Sequence, residues 1–334
     1  MRAFVTGGSG FVGSHLIEQL IRRGDSVRAL ARPTSDHAFL KSLDADIFLG
    51  DIEDADSLKA ACADCDVCYH AAARVDMVGS EEDFRRTTID GTRALMLAAA
   101  ASGVKRFVHV SSCGAYHPML YTTGEPITED TPMTEPPMWF MYGRAKYLAE
   151  RVVMADCPSS MEWVIVRLGY VFGPRNRTLR EYVEPAMRDS MMSLVGNAKN
   201  PMAMVYVDDV AEAIAKAGMV PEAAGRALIA AGNEHVTQRQ YFDALADGFG
   251  MRRVRRKTPY WIAYFFGWLG EFIFKSGIRA TSIRRASVAL TGLPQRIDCS
   301  KTQQLLNWTP SVSFEDGMAR AFAWYRAAYD RQSR

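Results

Sequence analysis

The stretch Thr6-Gly7-Gly8-Ser9-Gly10-Phe11-Val12-Gly13 follows a short apolar segment and opens a longer one with helical periodicity. Gly7 permits a tight turn, Gly10 lets the backbone approach a pyrophosphate, and Gly13 lets helix and strand pack closely. The free N–H groups and the positive end of the helix dipole would then face the phosphates. Because the pattern lies between a strand and a helix, it predicts a dinucleotide site that includes Ser9, Phe11 and Val12.

Strand and helix patterns alternate around this turn over the first 115 residues. The predicted strands cover residues 2–6, 26–31, 46–49, 67–72, 106–111 and, further on, 163–168; the predicted helices cover 11–23, 81–102 and 139–155. Such alternation predicts an α/β fold with a doubly wound parallel sheet of Rossmann type. Ligands of such sheets bind at the carboxyl ends of the strands.

The alternation fades after residue 172, which predicts a second part of the chain. We expect an NAD(P)-binding domain over residues 1–172, to which residues 204–220 return. Residues 173–334 would mainly form a smaller, mostly helical lobe that binds substrate. The segment 116–138 is rich in Pro, Thr and Glu and predicts a long loop, a type of segment that is often functional.

The composition is that of an ordinary globular protein. Of the 334 residues, 48% are hydrophobic and 23% are charged, which excludes a disordered chain, a collagen and a coiled coil. Forty Lys and Arg residues against 38 Asp and Glu residues give a net charge of +2. Such a balance produces no overall field for nucleic acid, so no nucleic-acid partner is predicted.

The cysteines and the N-terminus predict a reducing, cytoplasmic location. The chain holds six cysteines, and its N-terminus enters the glycine motif without the apolar core of a signal peptide. Cys62, Cys65 and Cys68 have the spacing of metal ligands. However, no further ligand pair lies nearby and Cys68 belongs to an apolar strand, so we predict no metal site.

The end of the second strand bears on the choice of cofactor. The strand ends in Leu30-Ala31-Arg32-Pro33, with no carboxylate where an NAD-binding site would have one. Arg32 is placed to bind a 2′-phosphate through charge-assisted hydrogen bonds, which favours NADP(H) over NAD(H). Asp51, after the third strand, could accept a hydrogen bond from the adenine amine.

Tyr142 and Lys146 have the i, i+4 spacing that places two side chains on one helix face. A tyrosine with a pKa near 10 is a poor base at neutral pH, and a neighbouring ammonium group stabilises its phenolate. Ser111 and Ser112 end the fifth strand at the edge where the ligand belongs. Together these residues predict acid–base chemistry on a carbonyl or hydroxyl group.

Further motifs follow in order along the chain: Gly50-Asp51-Ile52, His70-Ala71-Ala72-Ala73, Gly91-Thr92, Val110-Ser111-Ser112, Tyr142 to Lys146, Val166-Arg167, Tyr206-Val207-Asp208-Asp209-Val210, Asp298-Cys299-Ser300-Lys301 and Leu305-Leu306-Asn307-Trp308-Thr309-Pro310. With the glycine turn, they make the sequence resemble the extended short-chain dehydrogenase/reductase superfamily, of the NAD(P)-dependent epimerase/dehydratase type. The resemblance covers nearly the whole chain. It implies an enzyme with a nicotinamide cofactor.

The resemblance also implies roles for single residues. Tyr142 would be the general acid/base, Lys146 would hold the nicotinamide ribose, and Ser112 would bond the same substrate oxygen. The remaining cofactor contacts would be Ile52, Ala71, Ala72, Ala73, Leu168, Gly169 and Val171. Three residues depart from the family pattern: Thr88 for a frequent Asn, Leu168 for a frequent Pro, and Tyr170 for a smaller residue.

The C-terminal half bears on the substrate. Residues 252–257 carry five positive charges and precede an aromatic segment, 259–275, that contains Tyr260, Trp261, Tyr264, Phe265, Phe266, Trp268, Phe272 and Phe274. The apolar part is too short to span a membrane, so it could lie on a membrane surface, line an apolar ligand pocket or belong to the core. The aromatic run is similar to the 3β-hydroxysteroid and sterol dehydrogenase branch, and Arg32 is similar to the dihydroflavonol-reductase branch.

We therefore expect an NADP(H)-dependent alcohol/ketone oxidoreductase acting on a bulky apolar substrate such as a sterol, steroid or polycyclic lipid. Candidate substrate contacts are Tyr116, His117, Met138, Trp139 and Arg175. The alternatives are a nucleotide-sugar epimerase or dehydratase with tightly bound NAD, and a regulatory protein that only senses NADPH. The resemblance further implies a homodimer formed through the helices predicted at 81–102 and 139–155.

Overall fold

The computed structural model describes residues 1–75, 80–189, 192–275 and 284–329, without side chains at 273–275. The strands are β1 (Arg2–Thr6), β2 (Ser26–Ala31), β3 (Asp46–Leu49), β4 (Val67–His70), β5 (Arg106–Ser112), β6 (Glu162–Leu168), β7 (Tyr170–Phe172), β8 (Leu194–Val195), β9 (Pro201–Met202), β10 (Met204–Tyr206), β11 (Arg226–Ala230), β12 (Val236–Thr237) and β13 (Lys257–Thr258).

The α-helices are α1 (Phe11–Arg22), α2 (Ala38–Ser42), α3 (Ala55–Cys62), α4 (Glu81–Phe84), α5 (Gly91–Ala101), α6 (Met141–Asp156), α7 (Glu184–Arg188), α8 (Val207–Ala217), α9 (Gln238–Phe249), α10 (Tyr260–Lys275), α11 (Arg285–Gly292), α12 (Ser300–Leu306) and α13 (Phe314–Tyr329). Two π-helical segments, Arg85–Asp90 and Leu179–Val183, precede α5 and α7. The first of them interrupts the single helix predicted over 81–102. The predicted long loop contains a short 3₁₀ segment, Pro118–Thr122.

Seven strands form one parallel sheet in the order β11-β6-β5-β4-β1-β2-β3. Helices cover both of its faces, which confirms the predicted Rossmann fold class. The chain order reverses between β1 and β4, so the edge beyond their carboxyl ends is where such a sheet binds its ligand. The glycine turn follows β1 at this point.

The seventh strand, β11, does not appear among the predicted strands. It pairs in parallel with β6, so residues 226–230 belong to the central sheet. Its sequence, Arg-Ala-Leu-Ile-Ala, is short and partly built of alanine. A run of four apolar residues of this kind cannot be told from a buried helix segment by periodicity.

The core on one sheet face packs against α1 and α8, and the core on the other packs against α3, α5 and α6. Cys62, Cys65 and Cys68 lie in the second core, and burial raises the pKa of the Cys65 thiol to about 11. A third cluster forms the core of the lobe, where β7, β10, α9 and α13 meet. Among the described residues, no helix is long and apolar enough to cross a membrane.

Hydrogen bonds join Asp209 of α8 to residues 308–312 near the C-terminal end of the chain. The Asp209 carboxylate accepts hydrogen bonds from the backbone N–H groups of Ser311 and Val312, at 3.0 and 3.1 Å, and its backbone carbonyl accepts one from the Trp308 indole at 2.9 Å. His15 of α1 bonds the Asp208 carboxylate and the Pro174 carbonyl. The closing motif of the sequence is therefore held against α8 through Trp308.

Candidate active site

The glycine turn has the geometry that its sequence predicts. Gly7 adopts a left-handed conformation with φ of +72°, and its carbonyl accepts the Gly10 N–H at 2.9 Å. A Cβ atom on Gly13 would lie 2.1 Å from the Gly7 carbonyl oxygen, so no side chain fits there. No side chain caps the N-terminus of α1, and its first turn holds no acidic residue. Its leading N–H groups therefore suit the phosphates of a dinucleotide.

The segment after β4 lies against this turn. The Thr6 hydroxyl bonds His70 Nδ1 at 2.8 Å and accepts the Ala72 N–H at 3.3 Å, and His70 Nε2 bonds the Thr92 hydroxyl at 2.9 Å. These bonds hold the start of the chain segment that includes Ala71, Ala72 and Ala73 beside Gly7. The segment predicted to contact the adenosine and ribose is thus next to the glycine turn.

Arg32 and Asp51 follow neighbouring strands on the same edge. Arg32 is exposed at the end of β2, and the Gly50 N–H donates to the Ala31 carbonyl at 3.1 Å, which ties the two strand ends together. The Asp51 carboxylate accepts the Glu53 N–H at 3.1 Å in a local turn. Ile52 is buried in the second core, so only its backbone remains for a cofactor.

Ser112 and Tyr142 come together because two glycines let α6 approach the end of β5. A Cβ atom on Gly143 would lie 2.2 Å from the Gly114 carbonyl oxygen, so this contact requires glycine. Burial raises the pKa of the Tyr142 phenol, and its hydrogen bond with the Ser112 hydroxyl acts in the opposite direction. Ser112 Oγ also accepts the Gly114 N–H at 3.0 Å, which fixes the rotamer of the serine.

Lys146 lies one turn further along α6 and is buried. Its Nζ donates to the Val110 carbonyl at 2.7 Å, beneath the end of β5. Burial lowers the pKa of Lys146 to about 8, although the Glu150 charge opposes this effect. The net effect of burial, the Ser112 hydrogen bond and Cys113 is a raised pKa of Tyr142, and activation of the tyrosine by Lys146 stays a prediction.

Glu150 is the residue at this site that the sequence analysis missed. Its carboxylate accepts hydrogen bonds from the Ser111 hydroxyl and from the Arg167 guanidinium, at 2.8 Å from Nη2, with only 1% and 3% of the Glu150 and Arg167 side chains exposed. Glu150 stands at i+4 from Lys146 and i+8 from Tyr142, so the spacing of the catalytic pair could have pointed to it.

Tyr116, predicted as a substrate contact, belongs to this buried network. Its hydroxyl donates to the Thr128 carbonyl at 3.0 Å and accepts from Arg167 Nη1 at 2.8 Å, and the side chain is fully buried. The Arg167 guanidinium also lies over the Tyr116 ring, 5.0 Å from its centroid. Tyr116 therefore joins the end of β6 to the segment at Thr128, and its role as a substrate contact stays a prediction.

Arg175 is likewise bound within the protein. Its guanidinium donates to Glu18 of α1 at 2.9 Å and lies over the Phe39 ring, 4.2 Å from the centroid. The charge of Arg175 is thus paired within the protein, and its role as a substrate contact stays a prediction. Arg180 similarly lies over the Tyr329 ring, 3.7 Å from its centroid.

The other predicted substrate residues surround the start of α6. Met138 is exposed, and Trp139 is half-buried against Tyr264 of α10, with ring centroids 5.7 Å apart and planes at 88°. His117 caps the 3₁₀ segment by accepting the Met119 N–H at 3.2 Å. The aromatic helix therefore reaches the segment that leads into Tyr142.

The segment after β6 crosses from the Rossmann sheet to the lobe. Leu168 is buried, the Gly169 N–H donates to the Ala230 carbonyl at 2.9 Å, and Val171 pairs with Val205 of β10. Tyr170, one of the departures from the family pattern, bonds the hydroxyl of Tyr241 at 3.4 Å. The bulk of Tyr170 is thus taken up by the lobe core, where burial raises its pKa.

Thr88, another departure, lies in the π-helical segment before α5. Its hydroxyl accepts the Arg74 N–H at 3.3 Å, and its carbonyl accepts the Thr92 hydroxyl at 2.6 Å. Thr92 in turn bonds His70. Thr88 is therefore linked through the Thr92 hydroxyl to His70 at the end of β4.

A groove of about 490 Å³ lies between the segment 81–93 and α6. Phe84, Ile89, Met141 and Leu148 line it, together with charged groups that include Arg93 and Asp156. These are the helices through which the resemblance implies a homodimer, which stays a prediction.

Lys146 gives a prediction for stability against pH. The pKa of Lys146 is 10.5 for a solvated lysine, as in the unfolded chain, and about 8 in the folded protein. Between pH 8 and 10.5 the unfolded chain therefore binds more protons than the folded protein. The contribution of Lys146 to stability therefore rises with pH in this window, by about 1 kcal/mol per pH unit. We expect Lys146→Met to be more stable than the parent at pH 7, with a gap that narrows toward pH 10.

Urea unfolding at pH 7, 8, 9 and 10 measures this gap. Lys105→Met, which removes an exposed lysine, is the control and should show no such pH dependence. A gap of constant size would contradict a buried ammonium at Lys146.

Comparison with known proteins identifies relatives over the full length. The model of the NAD dependent epimerase/dehydratase family matches residues 3–229. A 4-hydroxy-2-methyl-3-oxo-4-farnesyl-3,4-dihydroquinoline-1-oxide ketoreductase from Stigmatella aurantiaca is 27% identical and covers 95% of each chain. A decarboxylating sterol-4-alpha-carboxylate 3-dehydrogenase from Mus musculus is 25% identical over 95% of this chain and 88% of that one.

Among solved structures, the dTDP-glucose 4,6-dehydratase DesIV from Streptomyces venezuelae, with NAD and TYD bound, is similar throughout. It has a TM-score of 0.77 and 26% identity, and the match covers 99% of this chain and 98% of that one. The similarity extends over both the sheet and the lobe.

Proposed function

The chain belongs to the NAD-dependent epimerase/dehydratase family, and from this we propose that it is an NADP(H)-dependent alcohol/ketone oxidoreductase acting on a bulky apolar substrate. Its relatives are named reductases and dehydrogenases, and the protein is an NAD(P)-dependent oxidoreductase. The preference for NADP(H) and the class of substrate are the parts that we propose.

The contact between Trp139 and Tyr264 carries the proposal on substrate. It brings an aromatic helix to the entrance of the helix that bears Tyr142, and an aromatic wall suits a large apolar molecule. The Tyr260 ring stacks on Tyr264 at 6.0 Å and extends this wall. Two relatives support the same class, because their names contain a farnesylated quinoline and a sterol.

The chemistry follows from the groups around Tyr142. A bound nicotinamide cofactor supplies the hydride that reduces a ketone, or accepts it from an alcohol. Tyr142 donates the proton to the substrate oxygen in reduction, and the Ser112 hydroxyl, already hydrogen-bonded to it, holds the same oxygen. Lys146, one helical turn away, would bind the ribose and stabilise the phenolate that remains.

Arg32 supports the preference for NADP(H), because its exposed guanidinium follows β2 beside the glycine turn and no carboxylate occupies that position. We expect Arg32→Ser to raise the dissociation constant of NADPH at least tenfold and that of NADH less than twofold, since a charge-assisted bond to phosphate is lost. Fluorescence titration with both nucleotides measures this.

The control is Arg177→Ser, which removes another exposed arginine, 3.9 Å from Asp36. It should leave both dissociation constants nearly unchanged. Equal binding of NADPH and NADH by the parent protein would refute the preference.

Nucleotide content tests the function as a whole. Freshly purified protein is denatured, and any released nucleotide is identified and quantified, followed by assays with apolar ketones and alcohols. We expect an empty protein, or exchangeable NADP(H), and turnover of apolar ketones with consumption of NADPH. Near-stoichiometric NAD would instead support the alternative, a nucleotide-sugar epimerase or dehydratase, which the likeness to DesIV favours. The internal pairing of Arg175 and the stacking of Arg180 on Tyr329 argue against a sugar-diphosphate site there.

A further inference from the structure

Helix α10 exposes its large aromatic side chains. Four of the exposed residues are spaced i, i+4, i+7 and i+11 and form one face of the helix: Trp261, Phe265, Trp268 and Phe272. Phe266, which is also exposed, lies beside this face with its ring 6.0 Å from that of Phe265. Trp261 and Phe272 expose 73% and 65% of their surface. The centroids of the Phe265 and Trp268 rings are 5.8 Å apart, and those of Trp268 and Phe272 are 6.3 Å apart, so the rings form a continuous ridge.

The opposite face of α10 carries small residues that pack against the protein. Ala263, Gly267 and Gly270 are buried, and α11 lies against this side. This is the reverse of an ordinary surface helix, which buries its large apolar residues and exposes polar ones. A contiguous exposed aromatic surface of this kind marks an interaction site.

A basic segment lies at the start of the same helix. Arg252, Arg255, Arg256 and Lys257 are exposed, and none of them forms an ion pair with the residues that the structure describes. Arg253, between them, is bound by Asp247 at 2.6 Å. The only carboxylate between residues 252 and 275 is Glu271, which pairs with Arg285 at 2.6 Å. The surface is therefore both aromatic and positively charged.

We propose that this surface, residues 252–272, docks on the anionic face of a phospholipid membrane. Aromatic side chains at a helix face insert at the level of the headgroups, and the flanking cations attract anionic lipids. A second copy of the chain fits the charge less well, because it would add its own cations to the same interface. With 16 residues, α10 is too short to span a bilayer, so it lies in the plane of the surface.

The orientation agrees with the packing of α10. Its inner face contacts Trp139 through Tyr264, while its outer face carries the exposed ridge. The side chain of Phe274 lies outside the described residues. Docking would therefore leave the contacts around Tyr142 unchanged.

Vesicle flotation tests the proposal with the full-length protein and needs neither substrate nor cofactor, so its outcome is independent of the proposed function. We expect binding to mixed phosphatidylcholine–phosphatidylglycerol vesicles at least about tenfold stronger than to phosphatidylcholine alone, and weakening with salt. Tryptophan emission should shift to shorter wavelength on binding, because Trp261 and Trp268 leave water.

Two variants with matched controls separate the contributions. W261S/F265S/F272S should abolish the fluorescence shift and most of the binding, whereas M119S/Y182S/M219S, which also removes three exposed apolar residues, should not. R252Q/R255Q/R256Q/K257Q should reduce binding to anionic vesicles at least tenfold. R22Q/R93Q/R188Q/R226Q, of equal net charge, should retain it.

Two results would overturn the proposal. One is no flotation of the parent protein with anionic vesicles at low salt. The other is a dimer in analytical ultracentrifugation that the aromatic variant dissociates, since the ridge would then be covered by a second copy.

Discussion

Replacing Tyr142 by Phe is expected to lower kcat about 10³-fold, within the range that general acid–base catalysis contributes. The substitution removes only the hydroxyl that bonds Ser112, and the ring that packs near Gly114 remains. The glycine turn and the segment after β4 are not altered, so the dissociation constant of the cofactor should change less than about twofold. Steady-state consumption of NADPH and a fluorescence titration of the same preparation measure the two quantities.

Tyr147→Phe is the matched control, because it removes a phenol hydroxyl from the same helix, α6, five residues after Tyr142. It should retain nearly full turnover. Near-normal kcat in Tyr142→Phe would mean that another group transfers the proton, and the assignment of the acid/base would be wrong. Ser112→Ala should lower kcat less, since the serine orients the oxygen and transfers no proton of its own.

Much of the fold could be predicted from the sequence because its signals are local. The glycine turn specifies one strand–helix junction, and the alternation of apolar strands with periodic helices specifies a parallel sheet. Strand β11 was not predicted, because the periodicity of so short an apolar run does not distinguish a strand from a helix. The π-helical segment 85–90 was not predicted either, because helix propensity does not distinguish a π-helical turn from the α-helix around it.

The candidate active site also has features that the sequence predicts and features that it does not. The i, i+4 spacing of Tyr142 and Lys146 is visible in the sequence, whereas the approach of Gly143 to Gly114 depends on how α6 meets β5. Tyr116 and Arg175 were expected at the substrate because they lie near the right strand ends. Their partners, Arg167 and Glu18, are distant in sequence, and no pattern predicts that these bonds fold them inward.

The largest effect on stability is expected from Glu150→Gln, which leaves the Arg167 guanidinium buried without a counter-charge. Removing one partner of a buried ion pair typically costs about 3–5 kcal/mol, because the remaining charge keeps its desolvation penalty. In this chain of 334 residues the loss should lower the melting temperature by about 4–7 °C. It should also lower the pKa of Lys146 further, because the Glu150 charge opposes the effect of burial on that group.

The control is Asp156→Asn, which breaks the exposed pair between Asp156 and Arg93 at the end of the same helix. Exposed pairs contribute at most about 1 kcal/mol, so its melting temperature should stay within about 2 °C of the parent. The double variant E150Q/R167M separates the cost of an unpaired charge from the cost of a changed side-chain shape. It removes both charges and places a methionine of similar length at position 167. About half or more of the stability lost in Glu150→Gln should return. If E150Q/R167M is no more stable than Glu150→Gln, the cost lies in the hydrogen bonds of Ser111 and Tyr116 and not in the uncompensated charge.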